Sequence, residues 1–358
     1  MTQGRGDPFE SRARHHRGRV INWEGHELIE LESPELKVVV STSRGAEILE
    51  LRTKHLDLDL LWHGHPDVVR NVGGTATTPL PQGNFLDDFA GGWQEILPSA
   101  QFPVEYRGAR LGQHGEAALL PWSWQLVTDS PDELVIRLSV ELRRTPIRVT
   151  REMTLRGGAL RFEESVENLA ATPIDIQWGH HIAFGGPAVG PGTVLSMPAG
   201  AGVTIPGDES PSNRFNAGQT CWPHAVGRNT DTTRLDVLPA DDGTDGTFVV
   251  GPLAIGTAAI RNDELPLVIE LDWDATVFPY CWTWMVLGGH PDWPLWGRHR
   301  LVTIEPFTSP LTSLTSAVEN GQSLVVPANG TCTAFLQVRV DTRALEEPVR
   351  FHQSERDA

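Results

Sequence analysis

The chain has 358 residues, with 29 Lys+Arg against 46 Asp+Glu for a formal net charge of -17, and it is 39% hydrophobic and 21% charged. That is the composition of a soluble globular protein and not of a disordered one. The cation shortage disfavours nucleic acid and anionic membrane surfaces as partners, because phosphate binding needs a local excess of positive charge and the lysines are Lys37 and Lys54 alone.

Residues 1–19 are polar and rich in Arg and His, with no apolar core of the secretory kind, so a cytoplasmic location is the expectation. Short strand-like segments follow at Leu36–Ser41, Glu47–Arg52 and Leu56–Trp62. The clearest is Glu133–Leu142, where Leu134, Ile136, Leu138, Val140 and Leu142 take one face and Arg137, Ser139 and Glu141 the other. Ile147, Val149, Arg151, Met153 and Leu155 continue this period of two, and Leu160, Phe162 and Val166 follow the Gly157-Gly158 turn, giving an antiparallel meander. Further segments lie at Ile174–Phe184, Thr247–Val250, Ala254–Arg261, Leu267–Trp273, Leu301–Glu305 and Cys332–Val340. No helical period is sustained, and apolar stretches fall short of the roughly 20 residues of a membrane span. The fold class is therefore all-β: one large antiparallel sandwich over residues 20–342, with tails at 1–19 and 343–358. The loop Pro206–Asp245 is a lid or a surface excursion. Within it Asp241–Gly246 only faintly resembles a calcium loop and reads as a solvated turn. Cys221, Cys281 and Cys332 read as small buried apolar residues and form no disulfide framework.

Side-chain parity selects candidate chemistry. In Ile174–His181, Ile174, Ile176, Trp178 and His180 share one face, leaving His181 on the polar one. In Leu301–Glu305, Val302 and Ile304 take the apolar face and Glu305 the other. In Leu267–Trp273, Ile269, Leu271 and Trp273 point inward and Glu270 and Asp272 outward. Histidines cluster at His63 and His65, at His114 and at His180-His181, but their spacings match no zinc pattern, so no metal is expected. Tryptophans such as Trp93, Trp178, Trp282 and Trp284 lie near these carboxylates and imidazoles, a mixture that suits a sugar, whose C–H faces stack on rings while its hydroxyls need polar partners.

Five blocks carry a resemblance: Ser33–Val40 with Arg44–Ile48; Gly91-Gly92-Trp93-Gln94-Glu95-Ile96-Leu97-Pro98; His114-Gly115-Glu116 with Leu120-Pro121-Trp122; Glu167-Asn168 leading to Trp178–Gly185; and Ile304-Glu305-Pro306-Phe307-Thr308-Ser309-Pro310. In this order they resemble the aldose 1-epimerase (galactose mutarotase-like) superfamily. The resemblance implies a β-supersandwich that binds a monosaccharide and exchanges its α and β anomers by cofactor-free acid–base chemistry. By position, Glu305 resembles the family's general base, His181 its general acid and His114 its sugar-holding second histidine. His181 is preferred to His180 because His181-Ile182-Ala183-Phe184 matches the family pattern. The arginine that many members use near the second block is absent there, and Gln94 and Glu95 stand in its neighbourhood. Parity makes Asp272 the candidate for the family's sugar-binding aspartate. Trp93, His180 and Trp284 complete the expected substrate contacts. The oligomer is left between monomer and homodimer.

Two rival readings share this fold. One is glycoside hydrolysis or lyase chemistry by paired carboxylates, Glu305 with Asp272 or Glu95. The other is a sugar-binding or regulatory protein with no anomer exchange.

Overall fold

The computed structural model describes residues 16–23, 25–64, 83–86, 89, 91–207 and 210–342. His65, the tail 343–358 and the first fifteen residues of the other tail lie outside them. Two antiparallel sheets dominate. The 12-stranded sheet runs in the order Arg17–Trp23, His26–Glu32, Leu36–Ser41, Ile48–Thr53, Trp93–Ile96, Gly179–Gly185, Arg300–Phe307, Tyr280–Leu287, Thr244–Val250, Gly202–Ile205 and Gly218–Cys221, with Leu58–Asp59 paired to Ile48–Thr53. The 8-stranded sheet runs Val194–Ser196, Gly256–Asn262, Leu267–Trp273, Thr331–Asp341, Ala159–Asn168, Ile147–Arg156, Leu134–Glu141 and Ser123–Asp129. Helices among the described residues are the short turns Gly83–Leu86 and Leu314–Glu319 and two 3-10 segments, and none is long and apolar enough to cross a membrane.

Burial follows the alternation. Ile147–Arg156 buries every second residue, beginning with Ile147, while Arg148, Thr150, Glu152 and Thr154 stay partly open. One face of such a strand packs on the opposing sheet and the other meets solvent. A continuous apolar cluster links the two sheets, from Ile29 and Val38 through Phe162 and Trp178 to Leu271 and Leu336.

Gly179–Gly185, near the middle of the large sheet, is instead buried on both faces. Its inner face joins the inter-sheet core through Ile182 and Phe184. Ala183 on the outer face packs with Trp62, Val286, Leu295 and Leu301, and nearby Ile96, Ala100 and Phe307 form a further apolar cluster. The fit is tight at Gly179, where a Cβ would stand 1.9 Å from Phe307 Cδ2 and 2.6 Å from the Pro306 carbonyl oxygen. Gly179→Ala is therefore expected to lower the unfolding free energy by about 1–3 kcal/mol, the usual cost of overpacking, read as a drop in urea midpoint.

Several elements differ from expectation. A strand begins at Arg17, inside the segment assigned to the tail; Arg19 reaches Glu30 at 2.5 Å, and charged residues on an edge strand mask its period. Ile174–Phe184 is two strands, because Ile174–Ile176 pairs with Leu324–Val326 outside the large sheet. Tyr280–Leu287 gave no alternation in the sequence because both faces are apolar, Trp282 and Trp284 standing half-buried on the face that lines the outer side. The loop Pro206–Asp245 contributes Gly218–Cys221 to the edge of the large sheet and forms the hairpin His224–Val226 with Thr232–Arg234. Cys281 is buried, but Cys221 is exposed on that edge and Cys332 is half-buried, so the cysteines do not share one environment.

Candidate active site

Register builds the site. Ile182 lies opposite Ile304 and Gly179 opposite Phe307, which sets His181 directly across from Glu305 on adjacent strands. His181 pairs on its other side with Gln94, and Glu305 with Trp282. Directly opposed residues share a face, so Gln94, His181, Glu305 and Trp282 form one row on the outer face of the large sheet. Two strands on, Thr247 opposes Trp284, and Asp245 has the same parity.

Over this row lies a cavity of about 260 Å3, lined by His114, His181, Asp245, His290 and Glu305 among polar groups and by Phe85, Phe89, Trp282, Trp284, Leu295 and Phe307 among apolar ones. It is at the small end of ligand pockets, which run from about 300 Å3 upward, and combines aromatic walls with a few convergent polar atoms. His181 Nε2 is 3.6 Å from Glu305 Oε1, with side chains 7% and 13% exposed. The His181 ring meets Phe89 edge-on at 5.5 Å and lies 5.7 Å from the His114 ring.

His114 arrives on a turn. Its backbone N–H donates to the Ala100 carbonyl at 2.9 Å, and Gly115 bridges to Leu97. A Cβ at Gly115 would come within 2.2 Å of the Leu97 oxygen, so this close approach requires glycine. His114 itself has φ +58, the left-handed region that side chains rarely adopt. Burial and the neighbouring His181 hold its pKa well below 6.5. The ring therefore acts as a neutral hydrogen-bonding group, and Nδ1 is buried without a protein partner. By NMR, the His114 C2–H is expected to keep its neutral-imidazole shift as pH falls through 6.5, where an unfolded-state histidine gains its proton. The unfolded chain then binds more protons, so this residue lowers stability as pH falls below 6.5, and His114→Gln is expected to flatten that limb.

The inner face of the same strands carries a second array. His180 pairs with Glu95 in the large sheet, and Arg151 with Glu164 in the small one. These side chains meet across the core at 0–1% exposure. Arg151 donates Nε to Glu164 at 2.6 Å and Nη2 to Glu95, and its guanidinium lies over the Phe162 ring. Trp178 Nε1 donates to Glu95 at 2.5 Å. Trp93 Nε1 donates to His180 Nδ1, so the His180 proton sits on Nε2 and points at Glu164, 2.9 Å away. Burial, then Glu164, pushes Glu95 up to about 7. Burial also acts to raise Glu164, but His180 and Arg151 outweigh it and hold that carboxyl at about 2. Ligand atoms of Glu95, Glu164 and His180 lie within 4.8 Å of one another, a spacing a metal would accept, but the Arg151 guanidinium already binds both carboxylates and supplies the cation.

Of the residues singled out in the sequence, His181, Glu305, His114 and Trp284 meet at the cavity. Gln94 shares the row but turns its amide to the Gly91 carbonyl and Glu47. Trp93, Glu95 and His180 point into the core. Asp272 is on Leu267–Trp273 in the other sheet, opposite Thr257 and Gln337. Outward parity on that sheet leads to a different surface, so neither Glu305 with Asp272 nor Glu305 with Glu95 forms a carboxylate pair across a cleft. Asp245 was missed: it is 3% exposed, with Oδ1 buried and unpartnered, whereas the preceding Asp241 and Asp242 are exposed. The strand starts at Thr244, three residues before the apolar signal, and extending the Thr247 and Val249 face backward by two reaches Asp245.

Solved structures share this architecture. A candidate aldose 1-epimerase from Klebsiella pneumoniae subsp. pneumoniae MGH 78578 superposes with a TM-score of 0.73 at 17% identity, over 92% of this chain and 84% of that one. A galactose mutarotase-like protein from Clostridium acetobutylicum gives 0.65 at 12% identity, over 91% and 98%. Another, from Lactobacillus casei ATCC 334, gives 0.54 at 18%, over 88% and 100%. At such identities the likeness is one of fold, and the fold is the galactose mutarotase-like β-supersandwich. No protein of curated function matches the chain in sequence. The family that does match, over residues 23–340, is described as a domain of unknown function, DUF4432, and the chain belongs to it.

Proposed function

We propose that the protein is an aldose 1-epimerase-like isomerase that exchanges the α and β anomers of a free monosaccharide. The observation that carries this reading is the cross-strand pair of His181 and Glu305 at the floor of an aromatic cavity. The C1 hydroxyl and the ring oxygen are bonded to the same carbon, so an acid and a base that stand side by side reach both.

Glu305, as carboxylate, takes the proton of the C1 hydroxyl while His181, as imidazolium, gives one to the ring oxygen. The C1–O5 bond breaks, and the C1–O1 bond becomes the aldehyde carbonyl. After rotation about C1–C2, the two residues run the transfers in reverse on the other face of the carbonyl. His114, kept neutral by its surroundings, holds a hydroxyl by hydrogen bonding, and the unpartnered Asp245 oxygen accepts from another. Trp282, Trp284 and Phe89 offer rings to the C–H faces. One apolar cluster joins both sheets, which supports a single catalytic unit over residues 20–342.

The test is exchange NMR on a panel of free aldoses with and without the protein. Faster anomer exchange for at least one sugar is expected. Binding without acceleration across the panel would leave a sugar-binding protein, and release of a reducing end from a glycoside would turn the assignment to hydrolysis.

A further inference from the structure

We propose that His290 is a positioning residue for this site, a clasp that holds one oxygen of Asp245 so that the other is presented to the sugar. The inference rests on the reading of the cavity as a sugar site. It starts from a loop, Gly288–Arg298, that follows the strand Tyr280–Leu287 and supplies Pro294 and Leu295 to the cavity wall.

This loop is laced to the start of Thr244–Val250. Gly288 bridges to Thr244, and the Gly289 N–H donates to the Thr244 carbonyl at 3.1 Å. His290 takes φ +54, a left-handed conformation that a non-glycine residue holds at some cost. Its N–H donates to Ser212 Oγ at 3.2 Å, and its carbonyl accepts from Gly297 at 3.0 Å. The turn aims the ring at the cavity, edge-on to Trp284 at 6.0 Å, with Nδ1 3.5 Å from Asp245 Oδ2.

The polar neighbour of the ring on the cavity side is an acceptor, the Asp245 carboxylate facing Nδ1. The charged groups facing it are Asp245 on the strand and Asp292 in its own loop, both negative, while Arg214 beside that strand is directed to Thr244 and Asp242. Hydrogen bonding to Asp245 raises the His290 pKa above 6.5, against the effect of burial. Asp245 is thus divided in function. Oδ2 is clasped, while Oδ1 is buried with no partner in a cavity-lining side chain, a costly state that a sugar hydroxyl relieves. Loss of the His290 proton removes the charge from this pair and loosens its hold on Oδ2, so that KM rises as pH rises.

Two arms test this on the full chain. The first needs no substrate: the His290 C2–H is titrated by NMR in the wild type and in Asp245→Asn. A pKa above 6.5 that falls in the variant is expected, and an unchanged pKa overturns the clasp. The second uses a sugar whose anomer exchange the wild type accelerates. His290→Leu is expected to raise KM about tenfold with kcat within about twofold, since sugar binding is weakened and the proton transfers are not touched. His290→Gln, which keeps one N–H donor, is expected to restore most of that KM and to abolish its rise with pH. Unchanged KM in the folded leucine variant, or an equal loss in kcat, overturns the proposal. If the wild type accelerates no sugar, the functional reading fails and the first arm still decides the clasp.

Discussion

Glu305→Gln and His181→Asn are each expected to slow anomer exchange by at least about 10²-fold, the usual contribution of a positioned acid or base. Both substitutions keep shape and hydrogen-bonding atoms while removing proton transfer. The two residues are cross-strand neighbours 3.6 Å apart at the cavity floor, and each proton transfer needs the other in the same ring-opening event. The losses should therefore be far from additive: the double variant is expected to fall close to the slower single one. The check is the exchange rate constant at saturating sugar, with melting curves to show that the variants remain folded. A near wild-type rate in either single variant removes that residue from the mechanism.

The second large effect concerns stability. Arg151→Met is expected to lower the unfolding free energy by about 3–5 kcal/mol, because removing one member of a buried charge group leaves the others uncompensated. Glu95 and Glu164 would keep their burial and lose the guanidinium that binds both. Methionine fills much of the arginine's volume against Phe162 and Trp122, so the loss reports charge more than a cavity. Arg151→Met combined with Glu164→Leu is expected to cost less than the two single changes summed, since cation and anion leave together. Urea unfolding at neutral pH measures all three. A loss under about 1 kcal/mol in Arg151→Met, the size of an exposed ion pair, would show that the cluster is solvated.

Much of the site was legible because parity is a local property. His181 and Glu305 could be assigned to polar faces from five to eight residues of alternation each, and the sheet brings them together. The same arithmetic had placed Arg151 on the apolar face of Ile147–Leu155, and it puts Glu164 with Leu160, Phe162 and Val166. Opposite charges on apolar faces of consecutive strands were the available signal for the buried cluster. What parity does not convey is which sheet a strand joins. Asp272 and Asp245 are both carboxylates on strands with apolar partners, and only long-range pairing separates them, one to the small sheet and one to the large. Trp93, Glu95 and His180 sit in segments that do form the site, but on the reverse of the sheet. Tyr280–Leu287 was missed because a strand with apolar residues on both faces, here Trp282 and Trp284 opposite Cys281 and Met285, shows no polar alternation.

The adjacent imidazoles of Gly179–Gly185 make this strand sensitive to slippage. A shift of one residue would exchange them, sending His181 toward Glu164 and bringing His180 to the outer surface. The cavity would still hold a histidine, so composition and overall shape would hardly change, yet the spacing to the carboxylate would be wrong. The hydrogen bonds from Trp93 to His180 and from His180 to Glu164 oppose that exchange, because they fit only one of the two frames. Core residues with no access to the cavity thereby decide which histidine faces it, and a substitution at Glu164 is expected to slow the proposed anomer exchange in a folded protein whose cavity residues are all intact.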